Sequence, residues 1–335
     1  MSLKDRVTRY WYRAAPAPWY LRLLGALFGF AARVRRARLQ SRARMDRLPV
    51  PVIVVGNIAV GGTGKTPFTI WLVERLREWG WTPGVISRGY GGNSPGWPQP
   101  VTADSDPSWV GDEPVLIATR AACPVFVGPD RLAAARALLG SHRVDIVVSD
   151  DGLQHYRLWR DLEIVVVDAS RGLGNGALLP AGPLREATSR LGEVGLVVTN
   201  GTGWTSPVPA SQLTMRLAAS QVRSLDGKSP APLAQFAGQT VHAVAGIGNP
   251  ARFFSMLSQQ GIQLVMHPFP DHHPFQRADL EFGDALPVLM TEKDAVKCRG
   301  YAGEGRWVVP VEAGIAPEGV ALVQELTQKL RQDKR

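Results

Sequence analysis

The stretch Ala59-Val60-Gly61-Gly62-Thr63-Gly64-Lys65-Thr66 has the chemistry of a phosphate cradle. Its glycines would let backbone N–H groups converge on phosphate oxygens, and a helix starting at the lysine would add its positive end. Lys65 would reach the β and γ phosphates of a nucleotide, and Thr66 would ligate Mg²⁺. The form is a Walker A loop in which Ala59 replaces the first glycine; the competing reading is an ordinary Gly-rich turn before a helix. Farther on, Val144 to Asp151 reads as an apolar strand ending in Asp150-Asp151, as in a Walker B strand. Two adjacent carboxylates at a strand end repel unless a cation lies beside them, so the pair suits Mg²⁺; the alternative is a solvated acidic turn.

A nucleotide loop alone does not separate a kinase from a switch. Membrane-associated positioning ATPases carry a lysine just before the paired glycines, where this chain has Val60. Small GTPases need a base-reading Asn/Thr-Lys-x-Asp, and Thr291-Glu292-Lys293-Asp294 resembles that only superficially. Both points favour a kinase over a P-loop membrane switch or scaffold that hydrolyses ATP to change partners.

Further segments have the density of a catalytic surface: Ser87-Arg88-Gly89-Tyr90-Gly91-Gly92, Gly111-Asp112-Glu113-Pro114, Asp130-Arg131, Asp150 to His155, Gly174-Asn175-Gly176 through Gly182 to Glu186, and Phe269-Pro270-Asp271-His272-His273. With Val55-Gly56-Asn57 ahead of the loop, this series resembles the tetraacyldisaccharide 4'-kinases, the lipid A 4'-kinases of Gram-negative bacteria, over nearly the whole chain. The resemblance implies transfer of the ATP γ-phosphate to the 4'-hydroxyl of a tetraacylated glucosamine disaccharide 1-phosphate, giving lipid IVA. It implies ATP and Mg²⁺ as cofactors and a lipid A disaccharide precursor as partner. By the same resemblance Asp112 and His272 look like the pair that activates the hydroxyl. Glu113, Asp150 and Asp151 look like metal-side carboxylates, and Arg131, Asn175, Arg185 and Glu186 like groups around phosphate and sugar. Lys65, Arg131 and Arg185 are thus expected to join Asp112 and His272 in the chemistry. Competing readings stand beside these: Asp112 as a helix N-cap, His272 as a surface-loop histidine, and Arg88 and Tyr90 as parts of a tight turn. His155 and His273 read as structural rather than catalytic. Two positions depart from the family pattern, Ala187 where Pro is usual and Ala59 where a hydroxyl residue is common; neither removes a reacting group.

These groups need a frame. Short apolar runs without alternation at Val52–Val55, Val85–Ser87, Val125–Val127, Ile146–Ser149, Ile164–Val167 and Leu196–Thr199 suit parallel strands buried on both faces, with a helix from Lys65 to Trp79. The expected fold is α/β: a P-loop NTPase with a doubly wound, mainly parallel sheet over 49–215, then a smaller α/β domain over 216–335. The Ser-, Pro- and Ala-rich stretch 204–238 reads as a connection. Beyond it, runs at Val241–Ala245, Gln263–His267, Val288–Thr291 and Trp307–Val311, with a helix after Asn249-Pro250, form the second unit. If Asp112 from the first unit and His272 from the second act on one hydroxyl, the units must close on each other, with a hinge near 204–238.

The charge is lopsided. The chain carries 38 Lys and Arg against 29 Asp and Glu, a net of +9, yet residues 1–48 hold twelve of the bases and two of the acids. The remaining 287 residues are nearly neutral, which argues against a basic nucleic-acid face. In the N-terminal segment the clean apolar run Leu23–Ala32 is too short to span a bilayer, and Leu23, Leu27, Phe30 and Val34 share one helical face away from Arg22 and Arg33. That pattern fits a basic amphipathic helix lying on an anionic membrane, with Tyr10, Trp11, Tyr12, Trp19 and Tyr20 at headgroup depth. The alternative is a helix packed on the protein's own core with a solvated basic flank. A secretory signal is not expected, and Cys123 and Cys298 are too few and too far apart for a disulfide framework. The expected location is the cytoplasmic face of the bacterial inner membrane, peripherally bound, with no obligate protein partner.

Overall fold

The computed structural model describes residues 3–13, 16–227 and 229–332, without the side chains of 3–5 and 44. Lys4, Asp5 and Arg44 of the N-terminal charge count therefore lie outside the described side chains. The elements run α1 (Leu3–Trp11), α2 (Trp19–Ala43), β1 (Val52–Gly56), α3 (Lys65–Glu78), β2 (Pro83–Ser87), β3 (Gln99–Val101), α4 (Pro107–Val110), α5 (Asp112–Arg120), β4 (Val125–Val127), α6 (Arg131–Ser141), β5 (Ile146–Asp150), β6 (Leu162–Asp168), β7 (Leu196–Asn200) and β8 (Gln212–Ala218). They continue with β9 (Gln221–Ser224), β10 (Pro230–Pro232), β11 (Thr240–Ala245), α7 (Pro250–Gln259), β12 (Gln263–Pro268), β13 (Val288–Thr291), α8 (Glu292–Cys298), β14 (Arg306–Val309), β15 (Glu312–Ile315) and α9 (Pro317–Gln332).

Among the described residues, nine strands form one sheet in the order β15-β8-β7-β6-β1-β5-β2-β4-β3. The seven inner strands are parallel, and β15 and β3 pair antiparallel at the edges. β1, β5 and β7 are buried at every position, which is why their sequences read as unbroken apolar runs. The parallel arrangement brings the C-terminal ends of β1, β5, β6 and β7 to one edge, the place where open α/β sheets bind ligands. A six-stranded sheet, β10-β9-β14-β13-β11-β12, makes the smaller unit with its own apolar core around Val241, Phe253, Leu257 and Leu289.

Two expectations change. The stretch 204–238 is not a bare connection: β8 extends the large sheet, and β9 and β10 belong to the small one. Buried Leu213 and Met215 alternate with exposed Thr214 and Arg216 in Gln212–Ala218, a half-buried pattern that composition alone hides. Nor do residues 216–335 form a single block. The chain returns to the large sheet at β15, and α9 packs Val323 and Leu330 into the core shared with β1 and α3.

α2 lies along the large unit on a narrow seam of small residues. A Cβ on Gly25 would come within 3.0 Å of the Leu178 carbonyl oxygen, and one on Gly29 within 2.4 Å of Leu178 Cδ1. The large apolar side chains point the other way: Trp19 is 77% exposed, Leu27 59% and Phe30 64%, with Leu23, Leu24 and Val34 also exposed. The expected face Leu23, Leu27, Phe30 and Val34 is therefore uncovered. The aromatic cluster divides: Trp19 and Tyr20 are exposed, but Trp11 Nε1 donates to the Pro180 carbonyl (3.0 Å) and the Tyr12 hydroxyl to that of Val60 (3.4 Å). An indole N–H and a phenol find backbone acceptors on the body as readily as headgroups in a bilayer, and at these positions the body has them.

Candidate active site

The loop Ala59 to Thr66 runs from β1 into the first turn of α3. It is braced on every side. Val60 N donates to Pro183 O (2.9 Å), Arg185 N to Ile58 O (2.7 Å), Asn57 Nδ2 to Gly61 O (3.1 Å) and Asn200 Nδ2 to Thr63 O (3.0 Å). Gly64 has φ +94°, and a Cβ there would strike Asn200 Nδ2 at 2.4 Å, so this position requires glycine twice over. Such bracing holds the loop open as a preformed phosphate cradle.

Asp150 and Asp151 sit beside it at the end of β5. Asp150 is fully buried; Oδ1 accepts from Thr69 Oγ1 (2.8 Å), whereas Oδ2 has no partner among the described residues. Burial, then the negative charges of Glu113 and Asp151, push its carboxyl up to about 7. A buried carboxylate crowded by others and left with an unpartnered oxygen fits a nearby dication. Asp151 takes φ +50°, with Lys65 Nζ 3.4 Å from Oδ1. Burial would raise its pKa, but Lys65 and Arg185 hold it below the usual carboxylate range. No group of three or more His, Cys, Asp or Glu side chains able to hold a metal by itself occurs among the described residues. Mg²⁺ ordinarily keeps waters and phosphate oxygens beside one or two carboxylates, so Thr66, Asp150 and Asp151 could hold it with a nucleotide. Glu113 is engaged elsewhere, paired with Lys293 Nζ at 2.9 Å.

Asp112 opens α5 after Gly111, which is the N-cap; the competing N-cap reading of Asp112 does not hold, since its only local bond is from the adjacent Glu113 N–H (2.9 Å). Its carboxylate faces the second unit. His272 Nδ1 is 3.1 Å from both Asp112 oxygens. Burial raises the Asp112 pKa, but the His272 hydrogen bond and the charges of Lys293 and Lys297 outweigh it and hold the carboxyl low. Burial lowers that of His272, and the bond to Asp112 more than reverses this. His272 has φ +62°, costly for a side chain of this size and a mark of a position fixed by its surroundings. The Gly-rich 89–92 turn packs beside it: the Tyr90 ring centre lies 5.0 Å from that of His272, and a Cβ on Gly91, whose φ is +81°, would stand 3.8 Å from His272 Nδ1.

The residue that ties these pieces together escaped the sequence reading. Lys293 Nζ bonds Glu113 (2.9 Å) and Asp271 (3.1 Å) and lies 3.4 Å from His272 Nε2. Lys297 reaches Asp294 (3.0 Å) and Asp112 (3.5 Å). The signal was Thr291-Glu292-Lys293-Asp294 itself: Thr291 caps α8, and the lysine that mimics a base-reading motif points into the cleft. The remaining expected residues are distributed as follows. Arg131, nearly buried, donates to the carbonyls of Pro129 (3.0 Å) and Asp151 (3.4 Å); burial and the neighbouring Arg88 lower its pKa to about 10. Arg185 lies by Asp151 and donates to Gln154 Oε1 (3.3 Å). Glu186 accepts from Gln154 and Arg190, and Asn175 braces its own loop through Ala177 and Ala181, so both are engaged in local structure. His273 pairs with Asp279 at 3.0 Å.

A family model described as tetraacyldisaccharide-1-P 4'-kinase matches residues 17–331. The chain belongs to that family. The match contains the loop, Asp112-Glu113, Asp150-Asp151, His272 and Lys293; α1 and Tyr12 precede it. The chain is 52% identical over 318 residues to the tetraacyldisaccharide 4'-kinase of Alkalilimnicola ehrlichii, covering 92% of each, and 48% identical to that of Nitrosococcus oceani, covering 98% of this chain and 96% of the relative. In fold it resembles a crystal structure of LpxK from Aquifex aeolicus in complex with ATP, with a TM-score of 0.76 and 26% identity over 93% of this chain and 98% of that one.

Proposed function

We propose that this family member is an ATP-dependent kinase that phosphorylates the 4'-hydroxyl of tetraacyldisaccharide 1-phosphate in lipid A biosynthesis. The observation that carries the reading is the Asp112–His272 pair, assembled from two units on the strand-end edge that bears Lys65, Asp150 and Asp151. A switch needs the loop and the strand-end acids; it has no use for a buried carboxylate poised by a histidine across a cleft. Asp112 orients the sugar hydroxyl and takes its proton late, and His272 holds Asp112 in place and shares that proton. Lys65 and the loop amides hold the β and γ phosphates. Thr66, Asp150 and Asp151 would hold Mg²⁺, which would supply charge neutralisation on the phosphates. Arg131 stiffens the Asp151 backbone, and Arg185 faces the anionic end of the site. Glu113 is held by Lys293 and adds its negative charge beside Asp150.

The lipid substrate explains α2. Its uncovered apolar face, with a basic flank, rests on an anionic bilayer surface, and Gly25 and Gly29 dock it to the Leu178–Ala181 loop that leads to Arg185. No helix among the described residues is long and apolar enough to cross a membrane. On this reading the bare face and basic flank of α2 hold the protein peripherally on the cytoplasmic face, where ATP is available. The strands cross between sheets at 219–220 and 310–311, and these two short crossings form the hinge for closure.

With γ-labelled ATP and a glucosamine disaccharide 1-phosphate lipid, label should move to the lipid. Asp112→Ala and His272→Ala should each lower kcat by about 10²–10⁴-fold with little change in the KM for ATP. Label appearing only in inorganic phosphate would favour the switch, and a His272→Ala enzyme with wild-type turnover would remove the pair from the mechanism.

A further inference from the structure

Arg171 has no role in the reading above. It lies in the turn after β6, the strand beside β1. That turn is fixed by Asp168, which accepts from Ser170 N (3.0 Å) and Oγ (2.7 Å) while its carbonyl accepts from Arg171 N (3.2 Å). The side chain runs back to the phosphate loop. A Cβ on Gly61, whose φ is +114°, would stand 3.3 Å from Arg171 Nη1, so the guanidinium lies against the third residue of the cradle. Nη2 donates to the Gly248 carbonyl of the second unit (3.0 Å), and the guanidinium carbon sits 5.6 Å from the centre of the Tyr12 ring. Tyr12 in turn bonds Val60 of the same loop. Three parts of the chain therefore aim this one fork, and Nη1 makes no hydrogen bond among the described residues.

The other cations near the loop are engaged. Lys65 faces Asp151, Arg131 is spent on backbone carbonyls, and Arg185 bonds Gln154. An always-charged, planar donor with a spare edge at a phosphate loop is suited to the equatorial oxygens of a transferring phosphoryl group. We propose that Arg171 is an arginine finger supplied in cis, held by the Gly248 carbonyl of the second unit so that its spare Nη1 edge meets the γ-phosphate. This rests on the kinase reading. In the transfer, the acceptor oxygen bonds phosphorus as the bond to the β–γ bridging oxygen breaks. ADP leaves with that electron pair, and the acceptor proton passes to the Asp112–His272 pair. Arg171 offsets the charge spread over the phosphoryl oxygens. The second contact makes it a sensor of closure as well: an open cleft leaves the guanidinium without its Gly248 anchor.

The test compares wild type with Arg171→Ala and Arg171→Lys by calorimetry, using Mg²⁺ with ADP alone and ADP with aluminium fluoride, alongside turnover. Cis or trans arginine fingers contribute about 10³–10⁵ in kcat, so both variants should lose roughly 10³-fold in turnover and most of the fluoride-dependent gain in affinity, while ADP binding stays within about threefold. Lysine should rescue little, because it lacks the fork. Retention of the fluoride-dependent gain in Arg171→Ala would overturn the assignment. So would a matched fall in ADP affinity and melting temperature, which would make Arg171 a brace only, and so would a wild type that gains no affinity from fluoride. If wild type shows the gain and Arg171→Ala loses it, yet no label reaches the disaccharide lipid, the substrate reading fails and the finger stands.

Discussion

At Asp112 and His272 two opposed shifts make one pair. His272 is raised above its ordinary 6.5 because its protonated ring bonds a carboxylate, and Asp112 is held below its ordinary 3.8 chiefly by that bond and Lys293, against the burial that opposes both. The signs fix a window. A raised histidine stabilises the fold fully below its unfolded pKa and stops doing so as pH rises through its folded value. A depressed aspartate stabilises it above its unfolded pKa and stops as pH falls through its folded value. Both contributions are present between about pH 4 and 6.5. Denaturant melts of wild type and His272→Gln should therefore differ most in that window, the gap narrowing above neutrality and in acid; a gap that widens from pH 6.5 to 9 would contradict the pairing. The sequence pointed to Asp112 and His272 through the family resemblance that their motifs carry, and the structure puts the two side chains in contact. The sequence did not show Lys293 or Arg171. A lysine on a short helix and an arginine in a turn resemble solvated charge until tertiary structure places acceptors 3 Å away.

At the scale of elements, α2 was legible as an amphipathic face and misread in its flank. The spacing of Leu23, Leu27, Phe30 and Val34 gave an apolar side, and the structure leaves that side bare because glycines, not leucines, make the contact with the body. Periodicity identifies a face; it does not say whether protein or lipid covers it. Tyr10 to Tyr12 read as membrane aromatics, but Trp11 and Tyr12 are clamped to backbone carbonyls near the phosphate loop. Two helix faces thus separate in their consequences. Leu23→Glu with Leu27→Glu should cut partition to anionic vesicles several-fold at moderate salt without lowering the melting temperature, since burying each apolar side chain in lipid is worth about 1.5–3 kcal/mol and neither touches the core. Unchanged sedimentation with vesicles would remove α2 from the membrane. Gly29→Leu carries the opposite signature, loosening α2 from Leu178 while leaving the apolar face intact.

For the molecule as a whole, the +9 balance belongs to its first 48 residues, and some of it is already answered by the body: Arg36 pairs with Glu193 (2.7 Å) and Arg47 with Asp161 (2.6 Å). On the proposed membrane reading the rest would dock a near-neutral body on an anionic surface, and vesicle binding should then fall as salt rises. The fold class was readable from unbroken apolar strands, whereas the chain's return to the large sheet was not. β15 is four residues of ordinary composition, Glu-Ala-Gly-Ile, and only its partner Met215–Ala218 makes it a strand.

That return has a consequence for the architecture. Ala218 and Glu312 are direct partners across the β8–β15 pair, so everything between them enters and leaves the large sheet at one point. The apolar clusters respect the same division: of the residues that fill the two cores of the large sheet, only Val296 comes from 219–311. The smaller unit is therefore a cassette spliced into a β-hairpin, and a two-residue Asn-Gly turn could close the gap it leaves. A chain joined from Ala218 to Glu312 in this way should melt cooperatively and still bind Mg²⁺ and ATP through the loop, yet transfer no phosphate, having lost His272, Lys293 and Gly248 together. Failure of that minimal protein to fold would mean that the seam at Arg120–Glu292 and Asp168–Arg252 supports the large sheet as well as orienting the small one.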